Sequence, residues 1–139
     1  MNGYVITTRK ATAFDWAVRL AIVALTLSAG YIHSTLGGLL YTANAAGYAT
    51  LAVAFIVPLG LAERFRWLAR MALGGFTTAT VVGWVLVGAR YSTGYLATGI
   101  EVAILVLLTV DFVRAHGNPF GIARRALSLL GSPRRTVRA

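Results

Sequence analysis

Residues Tyr95–Val113 read YLATGIEVAILVLLTVDFV, a run in which only Glu101 and, near its end, Asp111 carry charge. A helix needs about 20 apolar residues to cross the roughly 30 Å hydrocarbon core of a bilayer, and this run is of that length. A helix on the surface of a soluble domain would show a polar stripe, which is missing here. Three similar blocks precede it: Trp16–Leu36, Leu39–Leu61 and Trp67–Ala89. The expected fold is all-α, a four-transmembrane-helix bundle of two hairpins. A transmembrane β-barrel would need many short alternating segments, and the sequence has none.

Composition points the same way. Hydrophobic residues make up 58% of the 139-residue chain and charged ones 12%, with a mean hydropathy of +0.72. A soluble domain carries about a quarter charged residues, so lipid must solvate much of this exterior. A net charge of +9 invites a nucleic-acid reading, but that needs a basic face on a soluble fold, and nucleic acid is therefore not an expected partner. Cysteine is absent, which excludes disulfides, thiolate metal sites, a cysteine nucleophile and c-type haem attachment.

The basic residues set the expected orientation. Arg9, Lys10 and Arg19 flank the first block, Arg64, Arg66 and Arg70 surround the second connection, and Arg114 and the tail arginines follow the fourth. Arg90 alone lies on the other side, so twelve of the thirteen Lys and Arg share one side. The positive-inside rule then places both termini in the cytoplasm and the short connections near Gly37-Gly38 and Arg90–Gly94 outside. Leu27-Ser28-Ala29 faintly resembles a signal-peptide cleavage site after Arg9 and Lys10. Leucine is poor at its position, however, and the apolar run is long, so the first helix is expected to be retained.

Two segments follow from this pattern: residues 1–116 as the four-helix transmembrane domain, and 117–139 as an amphipathic helix and basic cytoplasmic tail. Gly117-Asn118-Pro119 is a turn signal. In Phe120–Leu130, Phe120, Ala123, Leu127 and Leu130 share one face and Arg124, Arg125 and Ser128 the other. Such a segment lies in the interface, with Arg124 and Arg125 drawn to anionic lipid headgroups. Gly75, Ala79 and Gly83 form a small-xxx-small seam on the third helix. Gly38, Thr42, Ala46, Thr50 and Ala54 repeat it on the second. Both are expected to mediate helix packing inside the bundle, a homo-oligomer seam being the other use. A shift of 51 residues also aligns Arg19 with Arg70, Thr26 with Thr77 and Gly37 with Gly88, a faint sign of duplication.

Three of the four acids have basic neighbours at helical spacing: Asp15 with Arg19, Glu63 with Arg66, and Asp111 with Arg114. These read as local helix pairs, each worth about 0.3–0.5 kcal/mol in water. Glu101 differs, because no basic residue lies within one turn of it. An acid in the membrane costs about 2.5–3.5 kcal/mol on insertion and marks a functional position by default. Tyr91, Gly94, Thr98, Glu101 and Leu105 run down one side of its helix, the side expected to face the bundle. His33, near the outer end of the first helix, is the second candidate. Tyr41, Asn44 and Tyr48 open the next helix, and Trp84, Arg90, Tyr91 and Tyr95 bracket the second outer connection. An amide such as Asn44 demands partners in lipid.

The stretches Ala29–Tyr48 and Gly83–Ala103 resemble a pattern found in small uncharacterised four-helix integral membrane proteins of high-GC bacteria. The resemblance covers residues 16–114. It implies the four-helix fold and a bacterial inner-membrane address, and carries no activity, ligand or cofactor.

No HExxH, GxSxG, phosphate-binding or dinucleotide motif occurs, so neither an enzyme nor a cofactor is expected. His33 and His116 fall on opposite sides and cannot ligate one haem or metal within a monomer. Two readings remain. In the first, the protein is a non-enzymatic accessory or interaction component, or a small binding module. Glu101 is then satisfied structurally by Arg90, His33, Asn44 or a tyrosine. Its partners would be the bilayer and a membrane protein or a second copy. In the second, Glu101, His33, Asn44, Tyr41, Arg90, Tyr91 and Tyr95 line an outward pocket for a small, quinone-like ligand or a proton, as in a transporter. Glu101→Gln is expected to leave folding in detergent nearly intact and to alter ligand- or proton-dependent behaviour. Unfolding or loss of expression would instead identify a structural ion pair.

Overall fold

A computed structural model of the chain describes residues 12–56 and 60–116. It contains four α-helices and, among the described residues, no strand. The helices are α1 (Ala13–Thr35), α2 (Leu39–Ile56), α3 (Gly60–Val87) and α4 (Ser92–His116). All four are long and apolar enough to cross a membrane. Large apolar side chains such as Leu39, Leu86 and Val87 cover the outside, where lipid rather than water would meet them.

The helix ends differ from the sequence blocks for local reasons. α1 starts three residues before Trp16 because Thr12 and Asp15 form a capping box: Thr12 N donates to Asp15 Oδ2 at 2.8 Å and Asp15 N to Thr12 Oγ1 at 3.3 Å. These two bonds satisfy donors that a helix start leaves orphaned. α1 stops before Gly37 and Gly38, whose φ angles of 71° and 91° lie in the left-handed region open mainly to glycine. α3 begins at Gly60 rather than Trp67, so the arginine-rich stretch expected as a connection is helical. The side chains of Glu63 and Arg66, and the whole of Phe120–Leu130 with Arg124 and Arg125, lie outside the described residues.

The helices close into a ring in which α1 packs on α2 and α4, and α3 packs on α4 and α2, the α2–α3 seam being the sparsest. Each buries a stripe with steps of three or four, the spacing that keeps one face of a helix inward. On α1 the stripe is Val18, Ile22, Thr26, Ala29 and His33, and on α4 it is Ala97, Glu101, Ile104, Leu108 and Asp111. Ile22, Leu73, Ile104 and Phe55 form an apolar middle. It separates a polar layer at Glu101 from another at Asp111, about 15 Å apart along α4 by helical rise.

The second layer corrects two of the local pairs. Asp111 does not bind Arg114. Its Oδ2 accepts from Arg70 Nε at 2.6 Å, and Arg19 Nε lies 3.9 Å from Oδ1. Asp15 in turn pairs with Arg114 at 2.9 Å rather than with Arg19. The acids thus tie α1, α3 and α4 together instead of decorating single helices. Since Arg70 and Asp111 are buried, leaving one without the other would cost about 3–5 kcal/mol, ten times a local surface pair. The residues matched by the 51-residue shift play matching parts: Thr26 and Thr77 are fully buried and Arg19 and Arg70 both approach Asp111.

The small-residue seams do not pack against other helices inside the bundle. Gly38, Thr42, Ala46, Thr50 and Ala54 are all exposed on the outer side of α2. A Cβ added at Gly75 or Gly83 would meet nothing within 4 Å. The close approach occurs at Gly30, where a Cβ would lie 3.2 Å from Tyr48 Cβ, and at Gly47, where it would lie 2.6 Å from the Phe76 ring. Gly47→Leu should therefore destabilise the bundle by about 1–3 kcal/mol through overpacking. Gly75→Leu should change stability by less than about 0.5 kcal/mol. Unfolding of the matched pair in detergent measures both.

Candidate functional site

The first polar layer is built around Glu101, the tenth residue of α4 and only 2% exposed. Helical rise puts it about 14 Å below the start of α4, near the middle of a bilayer-spanning helix. Tyr48 on α2 donates its hydroxyl to Glu101 Oε1 at 2.8 Å, and the same hydroxyl is 2.8 Å from Thr80 Oγ1 on α3. From α1, His33 Nε2 stands 3.7 Å from Oε1. All four helices contribute to the group. His33 is fixed by its other nitrogen, 2.8 Å from the Ala29 carbonyl oxygen. A carbonyl only accepts, so Nδ1 carries a hydrogen.

Above this group lies a cavity of about 510 Å³, within the range of small-molecule sites. His33 and Glu101 form its polar floor, Tyr41, Asn44 and Thr98 its polar walls, and Leu36, Leu40, Phe76 and Val87 much of its apolar surface. It lies along the sparse α2–α3 seam, at the end of the bundle away from the start of α1 and the end of α4. Exposed Leu40, Ala79 and Val87 among its lining leave it open at that seam. The seam residues Ala79 and Gly83 line this space instead of packing against a helix.

Hydrogen bonding distinguishes the cavity from the outer surface. Outward hydroxyls satisfy themselves on the preceding turn: Ser28 bonds Ala24 O, Thr50 bonds Ala46 O and Thr109 bonds Leu105 O. The Asn44 amide and the Thr98 hydroxyl, which line the cavity, make no hydrogen bond to any described residue. Polar groups in an apolar surround are stabilised by partners, so these two are available to a ligand.

Sequence reasoning placed Glu101, His33, Asn44, Tyr41 and Tyr91 at this site, and all five line the cavity. Arg90 and Tyr95 do not. Arg90 stacks on the Trp84 ring at 4.4 Å and donates to Val85 O, while Tyr95 meets the edge of Trp84 at 4.9 Å. Trp84 Nε1 donates to Ala89 O at 3.2 Å, and the indole lies so close over Gly94 that a Cβ there would be 2.6 Å from Nε1. These residues cap the α3–α4 connection, which holds Arg90 away from Glu101.

Thr80 is not among the residues the sequence singles out, and Tyr48, grouped there with Tyr41 and Asn44, is not among those expected to line a pocket. The signal for Tyr48 was its spacing from Tyr41 and Asn44, seven and four residues on along α2, which puts all three on one face. Thr80 was hidden beside Ala79 in a run read as a packing seam. Among the described residues no cluster of three or more metal-ligating side chains forms. No family model, curated protein or solved structure matches the chain.

Tyr48→Phe keeps the ring that packs edge-on against Phe76 at 5.0 Å and removes the donor to Glu101. A loss of about 1–2 kcal/mol is expected, between the average interhelical bond in membranes and a bond to a charged group. Thermal unfolding in detergent measures it.

Proposed function

We propose that this chain is a non-enzymatic, multi-pass protein of the bacterial inner membrane that binds a small ligand in the cavity above Glu101 and His33. The observation that carries this reading is the meeting of a buried, arginine-free carboxyl group and a cavity of about 510 Å³. A carboxyl group serving only to lock helices together would be closed over, as Asp111 is by Arg70 at 2.6 Å. The unpaired Asn44 and Thr98 groups in the same walls favour ligand binding over an interaction-only role.

Orientation in this proposal follows the basic residues, with both termini cytoplasmic and the cavity opening outward. The two arginine-rich polar pairs, Arg70 with Asp111 and Arg114 with Asp15, then sit at the cytoplasmic end. Arg124 and Arg125 would hold the tail to anionic headgroups beside them. The resemblance to small bacterial four-helix membrane proteins supports the address.

The natural sequence has no cysteine, so single cysteines report position without a background. In intact cells, Thr98→Cys should react with a membrane-impermeant maleimide, and Ala115→Cys should react only after permeabilisation. Native purification followed by mass spectrometry and an absorbance spectrum should reveal a co-purifying small molecule. A Thr98→Cys thiol unreactive in both preparations, with no bound molecule, would overturn the reading.

A further inference from the structure

If, as proposed above, the cavity takes a ligand, the proton arithmetic of its floor restricts what that ligand is. His33 Nδ1 carries a hydrogen for the Ala29 carbonyl, 2.8 Å away. The nitrogen facing Glu101 Oε1 at 3.7 Å is therefore Nε2. In a neutral imidazole with Nδ1 protonated, Nε2 presents a lone pair. A carboxylate opposite it presents lone pairs as well. At 3.7 Å the two are not hydrogen-bonded, but a bare carboxylate here would leave an uncompensated charge in an apolar bundle, and a proton on the carboxyl group or on Nε2 removes it. Either placement leaves the pair neutral overall, so the pair by itself holds one proton.

The other groups around it do not alter this count. Beside Glu101 the titratable residues are His33 on α1, Tyr41 and Tyr48 on α2, and Tyr91 at the mouth before α4. From α3 come Phe76, Thr80 and Trp84, without a charge, and no lysine or arginine lines the cavity. An anionic ligand would thus add its charge to a neutral pair, with no lysine or arginine in the lining to offset it. A cationic ligand would meet a carboxylate and the aromatic rings of Tyr41, Phe76, Trp84 and Tyr91, surfaces that attract positive charge.

We infer that the cavity binds a lipophilic organic cation, a quaternary or protonated amine with an apolar body, and that its charge replaces the proton of the Glu101–His33 pair one for one. With the proton alone, or with the cation alone, the floor is neutral. With both it is +1 and with neither it is −1, and each charged state is costly at this depth. On binding, the proton leaves to water through the cavity mouth and Glu101 becomes the carboxylate that balances the ammonium. The apolar body lies against Leu36, Leu40 and Val87. Access along the α2–α3 seam suits a molecule that partitions into lipid.

The test is isothermal titration of the purified full chain in detergent, with probe partitioning measured on protein-free micelles. The probes are benzyltrimethylammonium, its neutral isostere neopentylbenzene, and benzenesulfonate. Benzyltrimethylammonium should bind at least about tenfold more tightly than neopentylbenzene, a difference of one decade in Kd, and benzenesulfonate should not bind. Comparing buffers of different ionisation enthalpy should show about one proton released per cation. Affinity should fall by about tenfold for each unit by which the pH is lowered, where protons compete for the same carboxylate.

Glu101→Gln should abolish both the preference for the cation and the proton release, so that benzyltrimethylammonium no longer binds more tightly than neopentylbenzene. Should that variant not be recovered folded, the isostere comparison and the pH dependence of the natural protein decide the matter by themselves. Neopentylbenzene binding as tightly as the cation, with no proton released, would overturn the cation inference and leave the ligand site standing. Failure of every probe, together with a Thr98→Cys thiol unreactive in intact and permeabilised cells, would remove the site as well.

Discussion

A carboxyl group placed inside a lipid-facing bundle must find its partners within the bundle, and that constraint organises this protein. Lipid offers no hydrogen bonds, so each intramembrane polar group selects which helix faces turn inward. Asp111 draws Arg70 on α3 and Arg19 on α1, and Asp15 draws Arg114 across from α4. Glu101 draws Tyr48, Thr80 and His33 from the three other helices, directly or through the tyrosine hydroxyl. The rotations of α1, α3 and α4 about their axes follow from these attachments together with the apolar middle.

The two polar layers are unlike in what they leave available. At the Asp111 layer the charges are opposite, close and packed over, an arrangement suited to holding helices together. At the Glu101 layer the group is met by hydroxyls and an imidazole, with no guanidinium beside it. The Trp84 indole and Arg90 fold back on the α3–α4 connection, so the arginine nearest in sequence never neutralises the acid. A cavity persists there because α2 and α3 come close at Gly47 and Phe76 and pack sparsely beyond that contact.

Glycine divides into two uses along the same helices. Gly30 and Gly47 let neighbouring side chains approach to distances that a Cβ would violate, which brings Tyr48 within reach of Glu101. Gly83 instead helps to keep the cavity wide. Spacing alone does not separate these uses, since a small residue widens an open space as readily as it narrows a contact.

The four membrane-length helices and the isolation of Glu101 were legible in the sequence, because hydrophobic length and the absence of a nearby base are local properties of a chain. So was the grouping of His33, Asn44, Tyr41 and Tyr91 at one end, which depends only on counting residues along successive helices. The rotation of each helix was not legible. α2 carries polar residues on two faces, Tyr41, Asn44 and Tyr48 on one and Thr42 and Thr50 on another, so spacing alone did not mark Tyr48, Ala52 and Phe55 as inward or the Thr42, Ala46 and Thr50 face as outward. For the same reason Asp15 and Asp111 could be paired on paper with arginines one turn away, while the folded bundle gives them stronger partners on other helices. Tertiary structure decided those pairings, and the cavity with them, because in an apolar solvent the cost of an unsatisfied polar group outweighs the small preference of a local pair.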